Sequence, residues 1–205
     1  NAGGMLVVCD QNCLPVGMLL PLSANYIQVE RFALQRKASA ATNKRVWQYL
    51  VKAKIRHQAQ ALRSLHGDSF GIQHLISEVK SGDSGNVEAR AARKYWPLLF
   101  QDNSFRRDRD LPGFNAILNY GYAVLRAIVA RSICASGLHP SIGIHHHNRY
   151  SMFPLADDLM EPLRPIIDLE VAATLNHFPA QGRLTPDVKR AILQVLLERY
   201  DCEGE

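Results

Sequence analysis

The sequence predicts a mainly α protein, in which one helical domain follows the remnant of a small β-domain. Three observations carry this. Apolar residues recur with a period near 3.6 through most of the chain, helix-capping residues and glycines fall between those stretches, and β-branched runs occur only at the start. We place the division at residues 1–22 and 23–205. Residues 5–9 and 16–20 read as two short strands, the first ended by the turn-prone Asp10-Gln11-Asn12. Two strands alone bury too little to be stable, so they read as the tail of a larger β-unit. With Asn1 rather than Met in first place, this predicts a piece of a longer chain.

After residue 23 the pattern turns helical. Val29, Phe32, Ala33 and Arg36 keep the period, and Thr42 or Asn43 is placed to cap the next helix. That helix carries a stripe of Val46, Leu50 and Ala53 with Trp47 beside it, and runs to about Leu65. Residues 72–77 are short and apolar, and residues 81–86 form a turn cluster whose Asn86 is a candidate cap. A helix then follows over 87–100, with Ala89, Ala91 and Ala92 supplying propensity. Residues 101–113 form a charged loop closed by Pro112-Gly113. Residues 114–136 form a long apolar helix stopped by Gly137, and residues 138–152 hold clustered histidines without a period. Residues 154–175 are helical but punctuated by Pro162 and Pro165, and Thr185-Pro186 opens a last helix to about Tyr200.

Composition excludes several classes. At 47% hydrophobic and 21% charged the chain is globular rather than disordered. No apolar run reaches the length of a membrane span; the longest, near 123–133, is broken by Arg126 and Arg131. Cys9, Cys13, Cys134 and Cys202 are scattered without a CxxC pair, which predicts reduced thiols and a cytoplasmic protein rather than a zinc ribbon. The net charge of +5 makes a polyanion such as nucleic acid a candidate partner.

Three groups of residues carry potential chemistry. Glu88 has Ala91, Ala92, Tyr95 and Trp96 on its own helical face, so its carboxylate faces inward and needs a cation, a donor or a proton. Its position in the first turn of a helix is also favoured by the dipole alone. Arg90, Arg93 and Lys94 form a basic strip on the opposite face, suited to phosphates or simply to solvent. The second group is His139, His145, His146 and His147, of which one or two can ligate a given ion. The third is Asp157, Asp158 and Glu161, the last two sharing a helical face at i, i+3. One carboxylate from Glu88, one imidazole and one or two of these carboxylates make a hard N/O set that suits magnesium or manganese.

At these residues the chain resembles the CRISPR-associated integrase family, the metal-dependent endonuclease of spacer acquisition. The resemblance lies in Trp47-Gln48-Tyr49-Leu50-Val51-Lys52-Ala53-Lys54-Ile55, in Asn86-Val87-Glu88-Ala89-Arg90-Ala91-Ala92-Arg93-Lys94-Tyr95-Trp96 and in Asn119-Tyr120-Gly121-Tyr122. It continues in Gly137-Leu138-His139-Pro140 with Ile142-Gly143-Ile144-His145-His146, and in Leu155-Ala156-Asp157-Asp158-Leu159-Met160-Glu161-Pro162. The wording is closest to the branch found beside type II systems.

The resemblance implies a helical metal-dependent catalytic domain, with Glu88, His146 and Glu161 as catalytic metal ligands and Mg2+ or Mn2+ as cofactor. Asp158 and His145 would be supporting or alternative ligands. It further implies double-stranded DNA as substrate, held by Arg90, Arg93, Lys94, Arg106, Arg107 and Arg109, with no membrane involved. A homodimer in the full-length family and a small CRISPR-adaptation partner protein complete the expectation. Two other readings remain open on the residues alone. One is a catalytically silent DNA-binding or assembly module in which the acidic residues only pair with arginines, for example Glu161 with Arg164. The other is a metallohydrolase of small phosphoesters.

Overall fold

The computed structural model describes residues 6–9, 15–19, 25–146, 151–177 and 183–197. Strands β1 (Leu6–Cys9) and β2 (Pro15–Leu19) pair as an antiparallel hairpin, Leu6 opposite Leu19, with an irregularity between Val8 and Cys9. Among the described residues, every later secondary-structure element is a helix or a 3-10 turn. The order is α1 (Gln28–Arg36), α2 (Ala40–His66), α3 (Val87–Phe100), α4 (Phe114–Ala135), α5 (Pro154–Met160), α6 (Arg164–His177) and α7 (Pro186–Leu197). Short 3-10 turns occupy Ile72–Glu78, Ser81–Asp83 and Glu161–Leu163.

Local chemistry sets these boundaries, and it differs from the expectation at two caps. Ser39, not Thr42 or Asn43, opens α2: its hydroxyl oxygen accepts from the Thr42 amide at 3.1 Å, and Gly67 closes the helix at φ +76°. Asn86 does not cap α3 with its side chain, because its backbone is left-handed (φ +49°). Asp83 does so from three residues upstream, its two carboxylate oxygens accepting from the amides of Val87 (2.9 Å) and Glu88 (3.0 Å). A carboxylate there also complements the positive end of the helix. The buried stripe of α2 lies one step round from the expected one, on Trp47, Val51, Ile55, Ala59 and Leu62, with Val46, Leu50 and Ala53 at its half-buried margin.

The apolar periodicity of α1 does not become burial. Val29 is 84% exposed, and the helix is held instead by polar contacts. Gln35 donates to the carbonyls of His139 and Ile142 (2.9 Å each) and accepts from the His139 amide at 2.8 Å, while Arg31 donates to the Ser136 carbonyl. Thus α1 ties down the loop that leads to the histidines.

The core has two lobes. One gathers α4, α5, α6 and α7 around Leu118, Met160, Ile167 and Ile192; the other gathers α2, α3 and the 72–78 turn around Trp47, Ile55, Leu62, Ile72 and Tyr95. Trp96, Phe100 and Ile144 pack against both. Gly121 lets α4 and α6 approach, since a Cβ there would stand 2.4 Å from Ile167 Cγ2. Cys134 is buried as a free thiol, and among the described residues no helix is long and apolar enough to cross a membrane.

Candidate active site

The two lobes meet at a polar seam to which four elements contribute. Lys54 comes from the middle of α2, Glu88 from the first turn of α3, His146 from the loop after α4, and Glu161 from the turn between α5 and α6. Lys54 Nζ donates to Glu88 Oε1 and to Glu161 Oε2, both at 2.6 Å. The other oxygen of Glu161 accepts from Arg164 Nε at 2.8 Å. The Glu161 turn is also fixed by the His57 ring, whose Nδ1 donates to the Pro162 carbonyl at 2.6 Å. Burial would raise the Glu161 carboxyl, but Lys54 and Arg164 outweigh it and hold it below its ordinary value. The same balance keeps Lys54 an ammonium: burial disfavours the charge, and the two carboxylates more than restore it.

Asp158 is wholly buried and organises the histidine loop. Its Oδ2 accepts from the amides of Ile144 (2.6 Å) and His145 (3.0 Å), and its Oδ1 from the amide (3.1 Å) and Nδ1 (2.6 Å) of His146. Gly143 makes the approach feasible: a Cβ there would lie 2.6 Å from the His146 carbonyl oxygen and 2.9 Å from Pro154 Cβ. With Nδ1 committed to Asp158, Nε2 is the nitrogen of His146 left for a ligand, and the hydrogen bond from the ring to Asp158 raises its pKa. Burial works to raise Asp158, and the bonds from the His146 ring and the loop amides outweigh it and lower it.

The expected residues therefore separate. Glu88, His146 and Glu161 face one seam, and Asp158 stands behind His146 as a support. His145 is turned away and stacks flat on Trp47, with ring centroids 4.1 Å apart and an interplanar angle of 5°. His147 lies outside the described residues. Asp157 pairs with Arg126 at 2.8 Å and accepts from the Ser151 hydroxyl at 2.6 Å. Arg107 lines the cleft, held by Asn115 Oδ1 (3.0 Å) and Asn119 Oδ1 (2.6 Å) and lying over the Tyr122 ring. Arg109 lines it too. Arg90 is paired with Glu78 at 2.6 Å, Arg93 and Lys94 are exposed on the outer face of α3, and Arg106 turns back onto the carbonyls of Asn103 and Phe105.

Sequence reasoning missed Lys54, Tyr122 and Asp168. Lys54 stood inside a quoted motif, and its signal was a lysine at i−1 to Ile55 on a helix margin, which is too common to single out. Asp168 is buried beneath the seam and accepts from the Tyr122 hydroxyl; burial pushes it up to about 7, and Tyr122, Arg164 and Lys54 only partly offset this. The seam opens into two adjoining clefts of about 480 and 240 Å³ that share Arg107, Arg109, Tyr122, Glu161 and Arg164.

Two glutamates and an imidazole whose far nitrogen is fixed by an aspartate form a donor set that fits a hard divalent ion. Among the described residues no three His, Cys, Asp or Glu side chains converge to ligating distance as they stand; Lys54 lies between the two glutamates. Ligation by all three needs that ammonium to move.

The model of the family described as CRISPR associated protein Cas1 matches residues 1–183. The chain belongs to the Cas1 family. A Cas1 relative from Neisseria meningitidis serogroup C (strain 8013), named a CRISPR-associated endonuclease, is 40% identical over 209 residues, spanning 99% of this chain and 67% of the relative. A second, from Pyrobaculum aerophilum, is 28% identical and spans 100% of this chain and 74% of the relative. Among solved structures, a casposase bound to integration product superposes with a TM-score of 0.75 at 24% identity, covering 93% of this chain and 62% of that one. The Cas1 protein of Thermotoga maritima gives 0.68 at 16% identity over 93% and 70%, and a partial Cas6-RT-Cas1–Cas2 complex gives 0.67 at 18% over 94% and 69%. At these identities the structures share the fold. The chain thus matches about two thirds of the length of these relatives.

Proposed function

We propose that this chain carries the nuclease and integrase centre of CRISPR adaptation, a divalent-ion-dependent site that cuts and joins DNA phosphodiesters. The observation that carries this is the convergence of Glu88, His146 and Glu161 on one seam in a Cas1-family chain, with Asp158 fixing the imidazole so that Nε2 faces away from it. In the reaction the oxygen of a 3′-hydroxyl forms a bond to the phosphorus of the target strand, and the bond to the departing strand's 3′-oxygen breaks. The hydroxyl proton is lost and the departing oxygen gains one. With water in place of the hydroxyl, the same centre hydrolyses.

Each residue has a part in this scheme. A bound Mg2+ or Mn2+ would polarise the phosphate and offset the charge gained in the transition state. Glu88, Glu161 and Nε2 of His146 would hold the ion. Arg107 and Arg164 flank the cleft and neutralise phosphate oxygens, an arrangement in which a planar guanidinium is favoured. DNA and a Cas2-type partner are the expected associates, supported by the neighbours captured with an integration product and in a Cas1–Cas2 complex. A homodimer is part of the same proposal.

The silent-module reading has its own observation. The Glu161–Arg164 pair it requires is present at 2.8 Å, and Lys54 pairs with the other Glu161 oxygen and with Glu88 Oε1. Cleavage of a labelled branched DNA, an integration intermediate, separates the readings. Manganese-dependent cutting at the branch that chelator and His146→Ala abolish is the expected result. Absence of both cutting and Mn2+ binding would leave the module reading standing.

A further inference from the structure

Lys54 is a charged group that ion binding by the three ligands leaves without a place. Its ammonium nitrogen sits 2.6 Å from one oxygen of Glu88 and 2.6 Å from one oxygen of Glu161, and the side chain is only 13% exposed. A cation that close to oxygens from both candidate ligands occupies the position from which a divalent ion would draw two of its donors. We propose that Lys54 is a built-in place-holder for that ion: it neutralises Glu88 and Glu161 in the metal-free protein and gives up both contacts when the ion enters. This rests on the metal-site reading above and adds to it a residue with a definite exchange to perform.

The surroundings suit such an exchange. A flexible four-carbon stem carries the ammonium, so it can leave by side-chain rotation with α2 unmoved. The cleft of about 240 Å³ beside it, walled by Trp96 and Arg107, gives it somewhere to go. The carboxylates do not depend on Lys54 alone for their positions. Glu161 keeps Arg164 and the turn pinned by His57, and Glu88 sits on a helix end capped by Asp83. Without a cation, two carboxylates held this near each other would repel. The lysine thus keeps the donors in register, at the expense of competing with the ion. Once displaced, its ammonium faces the cleft on the side where Arg107 stands, adding positive charge where phosphate would lie.

Two readouts test this. Mn2+ binding is titrated by the loss of the free-ion EPR signal, and unfolding temperature is measured in chelator and in saturating Mn2+. The proteins are wild type, Lys54→Met, Lys54→Gln and Lys54→Arg, with Glu88→Gln as the variant that lacks a ligand. Removing the competing charge is expected to tighten Mn2+ binding on the order of tenfold in Lys54→Met. Its unfolding temperature in chelator falls, and Mn2+ raises it by more than in wild type. Lys54→Gln, which keeps N–H donors for the carboxylates and protects the fold, shifts in the same direction. Lys54→Arg keeps the charge and binds Mn2+ no more tightly than wild type. Equal or weaker binding by both neutral variants while wild type binds normally overturns the place-holder and leaves the metal site intact. Failure of every protein to bind Mn2+, wild type included, overturns both.

Discussion

Replacing Asp158 by asparagine preserves the shape of the side chain and removes its charge. The wild-type carboxylate accepts two bonds on each oxygen: the Ile144 and His145 amides on one, the His146 amide and ring on the other. Asparagine offers a single acceptor, so one pair is lost and an N–H₂ group is turned toward donors. Bonds to a buried charge are worth about 1.5–3 kcal/mol each. The lower figure applies here, because the His146 side chain is 43% exposed and water replaces part of what it loses. Two such bonds make about 3 kcal/mol, or a fall in unfolding temperature on the order of 10 °C for a chain of this size.

The chemical consequence is sharper. In wild type Nδ1–H donates to the carboxylate and Nε2 keeps its lone pair. An amide N–H₂ facing Nδ1 favours the opposite tautomer, which places the proton on Nε2. Mn2+ affinity should then drop roughly 10–100-fold, as for other losses of a carboxylate behind a histidine ligand. The pH dependence follows as well. The folded-state pKa of His146 is raised above 6.5, so its ion pair contributes fully below the unfolded value and is lost as pH rises through the raised one. That slope should vanish in Asp158→Asn. Thermal unfolding from pH 5 to 9 with a parallel Mn2+ titration measures both effects. Unchanged stability together with unchanged Mn2+ affinity would refute the assignment of Asp158 as the support of the loop.

Other consequences can be measured with the same assays. Asp83→Ala removes the side chain that caps α3 and should cost about 1 kcal/mol in urea unfolding; since the Glu88 amide is one of its partners, Mn2+ affinity should weaken too. Asp168 has its folded pKa lifted from 3.8 to about 7, so wild-type stability should decline as pH rises through that window, and Asp168→Asn should flatten the decline. A denaturation series at pH 4 to 8 that shows equal slopes in the two proteins would contradict this. Arg93→Ala and Arg106→Ala, both on exposed side chains, should weaken DNA binding at every sequence alike, and each should reduce the salt slope by about one. Fluorescence anisotropy across a salt range reads this directly.

The sequence by itself determined the helical class, the two strands at the start and the bounds of α3 to the residue. These are properties of periodicity, turn chemistry and local motif, all of which act over a few neighbouring positions. Tertiary structure decided the rest. Asp83 rather than Asn86 caps α3 because the turn backbone goes left-handed at Asn86. The exposed face of α1 could not be foreseen from its period, since what holds that helix is Gln35 reaching a loop more than a hundred residues away. Whether His145 or His146 faces the seam depends on Trp47 taking one ring in a stack and Asp158 taking the other in a hydrogen bond. Lys54 between Glu88 and Glu161 is the clearest case. Nothing in the order of residues marks that lysine, and its role arises because α2, α3 and the turn after α5 bring two negative charges to one place, where partial burial favours a cation between them.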